Sequence, residues 1–350
     1  MRASIFVAAL ALTAAIPALA QSSGPYHVVA TAKVGGDGGW DYVYADAVGR
    51  RLYIPRSGQA PVARITVFDL DSLKPVGEIP NYNAHGVAVD PKSNHGFASS
   101  KPVLMFDTQT LKPIKDITVD GNPDGILFDA YNQHVYIWSH AAPNATVIDT
   151  TNGNVLGTID LGGQPEQAQS DGAGHIYVDL EDKGQVAVVD AKTMKVTAKY
   201  DVSAQTNGLA GLALDNKNHI LFVVGRSPAA MVMVSAADGK ILGSVPMSGS
   251  ADGAAFNPAT NEAFASLGSG TLAVVKENSP TSFSLEQDTP TKNGARTLTL
   301  DPKTGRVLVI TADRGPPAPP APDAPPPAPG RGPRPGPILP DSFSIIAVGK

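Results

Sequence analysis

Cysteine is absent from the 350-residue sequence, which excludes disulfide scaffolds, thiolate metal sites and cysteine nucleophiles. Charged residues are also scarce. They make up 17% of the chain, less than the share of glycine (35 residues) and proline (31 residues) together. This balance is typical of a turn-rich β protein and argues against a helical bundle or a coiled coil. Apolar residues still form 42% of the chain, so wholesale disorder is excluded.

Catalytic signatures are missing as well. The sequence contains no Gly-rich phosphate loop, no His-Glu-x-x-His and no Gly-x-Ser-x-Gly. The net charge of −5 disfavours non-specific binding to nucleic acid or to an anionic membrane, although a local basic patch remains compatible with it. No motif therefore assigns a reaction, and candidate sites have to come from the predicted geometry.

The first twenty residues are predicted to be a cleaved secretory signal peptide. Arg2 provides a positive start, Ile5 to Ile16 is apolar, and an A-x-A cleavage site ends at Ala20, directly before Gln21. No cysteine follows that site, which excludes a lipoprotein anchor, and no later stretch approaches eighteen consecutive apolar residues. We therefore expect a mature chain, 21–350, that is periplasmic or secreted and has no membrane span.

The rest of the sequence repeats. An apolar stretch ending in Asp or Asn recurs at spacings of 39 to 44 residues, and its seven copies end at Asp46, Asp90, Asp129, Asp171, Asp215, Asn257 and Asp301. Further β-rich runs follow each copy, giving about four short strands per repeat, which is the signature of a propeller blade. The sequence therefore predicts an all-β fold, a single seven-bladed β-propeller.

The last copy has only three β-rich runs, the final one at 344–348. The spare N-terminal run His27–Val34 is predicted to supply its missing strand. A blade built from both chain ends closes the ring and leaves no free sheet edge.

Several segments resemble the YVTN-repeat propellers, the YncE-like family of exported seven-bladed proteins. The resemblance is carried by His85-Gly-Val-Ala-Val-Asp-Pro91 and by Val67-Phe-Asp69 with Ser72-Leu-Lys74, and it covers nearly all of residues 24–350. None of the strand runs reads YVTN; Leu52-Tyr-Ile-Pro55 and Ile176-Tyr-Val-Asp179 are the nearest. The resemblance implies the fold and carries no family-wide catalytic motif.

The repeat also places one equivalent residue per blade at a mouth of the central channel. In a propeller the first strand of each blade lines the channel, and the residue five positions before each copy's end enters that strand. This set is Asp41, His85, Asp124, Glu166, Ala210, Asp252 and Arg296. Six of the seven are ionisable and four are acidic, which predicts a ligand site at the mouth.

A divalent cation is the candidate cofactor of this mouth, with Asp124, Asp252, Glu166 and His85 as its ligands. The carboxylates suit Ca²⁺, and one histidine among them also admits Zn²⁺ or Mn²⁺. The alternative is that Asp124 and Asp252, each followed by glycine, only form turns.

Other residues fall on the two faces of the ring. His95, His134, His175 and His219 share one repeat position on the face opposite the mouth and are interpreted as scaffold. Six residues are predicted in loops on the mouth face, where each by itself is expected to be solvated: Arg56, His140, Asp179, Glu181, Arg226 and Asp313. Among these six, His140 and Arg226 are also candidate ligand-binding residues.

One segment interrupts the repeat. Residues 316–340 include 13 prolines, a composition that favours extended polyproline II and cannot enter a sheet. It is interpreted as a loop insertion in the last blade, with a partner-binding arm or a flap over the channel mouth as the alternative.

Two functional hypotheses follow. The first is an exported, monomeric binding module that holds a small molecule, a polymer or a protein at its channel face, and the scarcity of catalytic motifs favours it. The second is a lactonase-like hydrolase in which the acidic ring holds a cation that polarises a carbonyl. Nucleic-acid binding is a weaker third hypothesis, because it would need a basic patch to overcome the acidic mouth.

Overall fold

The computed structural model describes residues 24–142, 144–317 and 336–350. The predicted signal peptide (1–20) and most of the proline-rich segment (318–335 of 316–340) lie outside the described residues. Within them the chain forms 28 strands, arranged as seven four-stranded antiparallel sheets, and no helix. The predicted all-β, seven-bladed propeller is confirmed.

Each blade is one sheet whose strands follow in chain order, except the last. The N-terminal strand is β1 (His27–Lys33). Blade 1 contains β2 (Tyr44–Asp46), β3 (Arg51–Arg56), β4 (Arg64–Asp69) and β5 (Pro75–Pro80). Blade 2 contains β6 (Val87–Asp90), β7 (His95–Ala98), β8 (Val103–Asp107) and β9 (Pro113–Ile117). Blade 3 contains β10 (Pro123–Asp129), β11 (His134–Ser139), β12 (Ala145–Asp149) and β13 (Val155–Ile159).

The remaining blades continue the pattern. Blade 4 contains β14 (Pro165–Ser170), β15 (His175–Leu180), β16 (Gln185–Asp190) and β17 (Lys195–Asp201). Blade 5 contains β18 (Asn207–Asp215), β19 (Ile220–Ser227), β20 (Ala229–Ser235) and β21 (Ile241–Pro246). Blade 6 contains β22 (Ala251–Asn257), β23 (Glu262–Leu267), β24 (Thr271–Ser279) and β25 (Ser282–Pro290). Blade 7 contains β26 (Leu298–Asp301), β27 (Arg306–Thr311) and β28 (Ser344–Gly349), and β1 is its outer strand.

The ring closes as the repeat predicted. Strand β1 pairs antiparallel with β28, with Lys33 opposite Ser344 and His27 opposite Gly349. The two ends of the described chain therefore share the sheet of blade 7, and β1, from which the chain continues into blade 1, closes the ring through its backbone hydrogen bonds to β28.

The core consists of apolar layers between neighbouring blades. Leu52, Tyr53 and Ile54 in β3 are all fully buried, since Leu52 and Ile54 pack against blade 7 while Tyr53 packs against blade 2. Both faces of such a strand are covered, which explains why the inner strands read as continuous apolar runs instead of alternating with polar residues.

The first strands of the seven blades surround a central cavity of about 490 Å³. Near the mouth this cavity is bordered by Tyr42, Glu166 and Gln167. The Gln167 side-chain oxygen accepts hydrogen bonds from the backbone N–H groups of Leu212 (2.8 Å) and Ala254 (3.1 Å). One side chain of blade 4 thereby links blades 5 and 6 directly beneath the mouth.

Candidate functional site

β-Bulges place three of the polar mouth residues, Asp124, Glu166 and Asp252, at the channel. The pairing between the first two strands shifts at the same place in four blades, around Asp124, Glu166, Ala210 and Asp252. Such β-bulges turn a side chain away from its regular direction and are common beside functional sites. The position found by counting along the repeat therefore has the same bulged backbone in these four blades.

The glycines that follow this position keep the blades close together. A Cβ atom on Gly125 would lie 2.7 Å from the backbone oxygen of Glu166, and one on Gly211 would lie 2.9 Å from the carbonyl carbon of Gly253. Only glycine permits so close an approach of two backbones. The tight packing explains how side chains from separate blades can meet at the mouth.

His85 lies between two carboxylates from the neighbouring blades. Its Nδ1 is 2.9 Å from Oδ2 of Asp41 and 3.0 Å from Oδ1 of Asp124. Hydrogen bonds to Asp124 and Asp41 raise the pKa of His85 to about 10, although burial opposes this shift. Burial in turn raises the pKa of Asp41. At neutral pH, His85 is therefore a positively charged imidazolium shared by two acidic residues.

Asp124 is also close to a second histidine. Its Oδ2 lies 3.3 Å from Nε2 of His140, while its Oδ1 faces His85. Nε2 of His140 is shielded from solvent and makes no hydrogen bond. The carboxylate of Asp124 is itself largely buried, with 8% of the residue exposed. Each oxygen of this buried carboxylate therefore faces a different imidazole.

Glu166 occupies the floor of the mouth. The Tyr42 hydroxyl donates a 2.5 Å hydrogen bond to Glu166 Oε2, and Oε1 lies 3.9 Å from Nη2 of Arg226. Burial raises the pKa of Glu166 to about 8. Glu166 is consequently protonated in a large fraction of molecules at neutral pH.

Two arginines dominate the other side of the mouth. Arg226 pairs with Glu181 and, through Nη2 at 2.5 Å, with Asp252 Oδ1. Nε of Arg296 lies 3.2 Å from the other oxygen of Asp252. Asp252 is thus neutralised by two guanidinium groups.

Two groups of potential metal donors are present in the described ranges: Asp41, His85 and Asp124 form one, and Asp124, His140 and Glu166 form the other. Together they contain three of the four predicted cation ligands. The fourth, Asp252, belongs to neither group.

Two residues expected to be solvated are buried, and those expectations were wrong. Asp179, in β15, is fully buried, and burial raises its pKa well above the usual range. Arg56, in β3, is 1% exposed, and its guanidinium carbon lies 3.4 Å from the ring centre of Phe343. Burial lowers the pKa of Arg56 to about 9. Both side chains are covered by a neighbouring strand or blade, which a single repeat unit does not reveal.

Asp313 and His95 make their contacts away from the charged residues of the mouth. Asp313 forms a 2.6 Å ion pair with Lys292 and is about half exposed. On the opposite face, His95 begins β7 and its ring nitrogen lies 2.7 Å from the backbone oxygen of Thr150. That contact joins neighbouring blades, as a scaffold role requires. Counting along the repeat did not assign Tyr42 or Glu181 to the site, although both contact predicted site residues.

Comparison with known proteins agrees with this architecture. Over 192 residues the chain is 28% identical to the YncE protein of Salmonella typhi, an alignment that covers 52% of this chain and 54% of that protein. The YncE protein of Salmonella typhimurium gives the same identity and coverage. The chain is a seven-bladed β-propeller that is similar in sequence to YncE. It matches about half the length of these curated relatives, and no family model matches it.

Solved structures share the fold of this propeller at low sequence identity. The RRP9 WD40 repeats superpose with a TM-score of 0.72 at 11% identity, covering 94% of this chain and all of that one. A chain of the mitotic checkpoint complex gives 0.70 at 10% identity, with 88% and 96% covered. Hydrazine synthase of Kuenenia stuttgartiensis gives 0.67 at 15% identity, with 84% and 94% covered. These likenesses concern the fold alone.

Within the described ranges, no helix has the length and hydropathy needed to cross a bilayer.

Proposed function

We propose that this chain is an exported binding module that holds a positively charged ligand at its channel mouth. The observation that carries the proposal is the excess of acidic side chains that meet there. The carboxylates of Asp41, Asp124, Glu166, Glu181 and Asp252 lie with three basic groups, those of His85, Arg226 and Arg296. With Glu166 largely protonated, four carboxylates face three positive groups, which leaves the mouth a net charge of about −1, and a negative concave site attracts ligands of the opposite sign.

Accessibility supports the same proposal. The side chains of His85 and Asp41 are 37% and 32% exposed, whereas that of Asp124 is 11% exposed. A ligand entering the mouth therefore meets His85 and Asp41 first and reaches Asp124 beneath them. Export rests on the N-terminal signal sequence, and it brings the mouth into contact with ligands outside the cytoplasm.

Thermal unfolding in the presence of cations tests this function. Spermidine and ZnCl₂ serve as probes, and we expect at least one to raise the Tm of the wild type by mass action. The increase should shrink strongly in Asp124→Asn, which removes a central charge but preserves the shape of the side chain. Asp313→Asn is the matched control, because Asp313 lies on the same face but pairs with Lys292. Equal shifts in all three proteins, or no shift in any, would refute the proposed function.

A cation-dependent hydrolase is the second candidate. It is favoured by the position of Asp124 between two imidazoles, because carboxylate and imidazole groups together hold Lewis-acidic ions. Zinc-loaded protein should then hydrolyse lactones or esters, and Asp124→Asn should lose that activity. Absence of turnover across a lactone and ester panel would leave only the binding function.

A further inference from the structure

The donor atoms around Asp124 fall into two sets of three that share this one residue. We propose that the mouth binds two first-row transition-metal ions bridged by the Asp124 carboxylate. One ion is held by Asp41, His85 and Asp124, and the other by Asp124, His140 and Glu166. This inference rests on the proposed function, since it names the positively charged ligand of the same site.

The geometry favours two metal-ion positions over a single one. Within each set, one donor atom from every residue lies within 4.8 Å of the others. Asp124 Oδ1 faces His85 and Oδ2 faces His140, so the two oxygens of one carboxylate point to different imidazoles. A carboxylate that bridges two ions presents its oxygens in this way, and paired ions in such sites lie about 3.5–4 Å apart.

The donor separations also suit metal coordination. Bonds of about 2.1 Å from an ion to nitrogen and oxygen place adjacent donors about 3.0 Å apart in octahedral geometry and about 3.4 Å apart in tetrahedral geometry. The observed separations from histidine nitrogen to carboxylate oxygen are 2.9, 3.0 and 3.3 Å. Both histidine contacts of the first set, and the His140–Asp124 contact of the second, therefore match the spacing of metal donors. Binding of an ion at Nδ1 of His85 releases the proton of this nitrogen to solvent.

Hydrogen bonding alone leaves this cluster incompletely satisfied. Nδ1 of His85 carries at most one hydrogen, yet it faces oxygens of both Asp41 and Asp124. Nε2 of His140 is shielded from solvent and makes no hydrogen bond, although Oδ2 of Asp124 lies 3.3 Å away. An ion in each set would give both nitrogens and the surplus oxygens a partner.

The donor types indicate the class of metal. Imidazole nitrogen suits Zn²⁺ and other transition metals, whereas Ca²⁺ prefers oxygen donors. Each proposed position has one imidazole and two carboxylates, which favours Zn²⁺ or Mn²⁺ over Ca²⁺. Tyr42 donates a hydrogen bond to Glu166 Oε2 and so orients this ligand. Asp252 takes no part, because Arg226 and Arg296 already neutralise it.

Metal stoichiometry tests the inference. The mature protein is stripped with EDTA, titrated with Zn²⁺ by calorimetry and analysed for bound metal after desalting. We expect two Zn²⁺ per wild-type chain, one in His85→Ala, one in His140→Ala, and neither tightly bound in Asp124→Asn. His175→Ala is the matched control, because His175 forms a surface pair with Asp171 at 2.8 Å, and it should still bind two. Circular dichroism and Tm establish that each variant is folded.

The outcomes separate this inference from the proposed function. Wild-type binding of one ion or none, or an unchanged count in the folded His85→Ala and His140→Ala variants, would overturn the two-ion site. If zinc fails to bind while spermidine still raises Tm in an Asp124-dependent manner, only the two-ion site is lost. If neither probe binds, both proposals are lost.

Discussion

A buried carboxylate, that of Glu262, reinforces the closure of the ring, and Glu262→Gln should reduce stability in a pH-dependent way. Glu262 begins β23 and is fully buried. Nζ of Lys350 lies 2.8 Å from its Oε1, and the hydroxyl of Tyr26 donates to Oε2. Lys350 follows β28 and Tyr26 precedes β1, so this carboxylate ties both strands of the closing blade to blade 6.

The magnitude follows from these contacts. Burial alone would raise the pKa of Glu262, but hydrogen bonds from Lys350 and Tyr26 outweigh it and hold the pKa below its usual value. A hydrogen bond to a charged group contributes about 1.5–3 kcal/mol. The Lys350 side chain is 43% exposed, which screens part of that interaction. We therefore expect Glu262→Gln to lower the free energy of unfolding by about 2 kcal/mol at pH 7.

The direction of the pKa shift determines how the contribution of Glu262 to stability changes with pH. Because the pKa of Glu262 is lower in the folded protein, its contribution is fully present above the unfolded pKa of about 4.3. It is lost as pH falls through the folded value. Urea unfolding should accordingly show a smaller difference between wild type and Glu262→Gln at pH 3 than at pH 7. Glu78→Gln is the control, since Glu78 is 56% exposed and pairs with Arg64 at 3.3 Å; it should cost less than about 1 kcal/mol. Equal losses in both variants, or a loss in Glu262→Gln that does not change with pH, would refute the reasoning.

Three further outcomes are expected. Phe343→Ala should lower the free energy of unfolding by about 3–5 kcal/mol, because this buried ring packs edge-on against Trp40, with ring centres 5.0 Å apart, and lies beneath Arg56. Urea unfolding measures this loss, and a value under about 1 kcal/mol would contradict the packing. Asp179→Asn should lower the free energy of unfolding by less than about 1 kcal/mol at pH 7, because burial raises the pKa of this carboxyl well above its usual value and the amide is an uncharged side chain of the same shape. A much larger loss in the same assay would contradict the view that burial disfavours the charged form. N-terminal sequencing of protein recovered from the periplasm or medium should begin at Gln21, and a chain that retains residues 1–20 would contradict export by cleavage.

The repeat predicted the fold because each blade requires the same local pattern. Apolar runs at a fixed spacing specify four strands, and the match between the incomplete last copy and the spare run at His27–Val34 specified the closing strand. Equivalent positions in equivalent blades also brought Asp41, His85 and Asp124 to one mouth. This inference needs only the topology and no knowledge of side-chain packing.

Pairing within the mouth could not be predicted in the same way. The association of Asp252 with Arg226 and Arg296 depends on side chains from three blades, and their directions depend on local bulges. Burial of Asp179 and Arg56 likewise comes from neighbouring elements. Counting along one repeat identifies which residues share a face, but it does not determine which partners they contact on that face.

The most direct measurement of the central claim, that Asp124 is the centre of the functional site, is a crystal structure of the zinc-soaked protein with anomalous diffraction recorded on both sides of the zinc edge. We expect two anomalous peaks at the channel mouth, one beside each carboxylate oxygen of Asp124, with His85 and His140 each contacting a different peak. A map without zinc at the mouth, or with zinc bound only at surface histidines such as His175, would contradict the account.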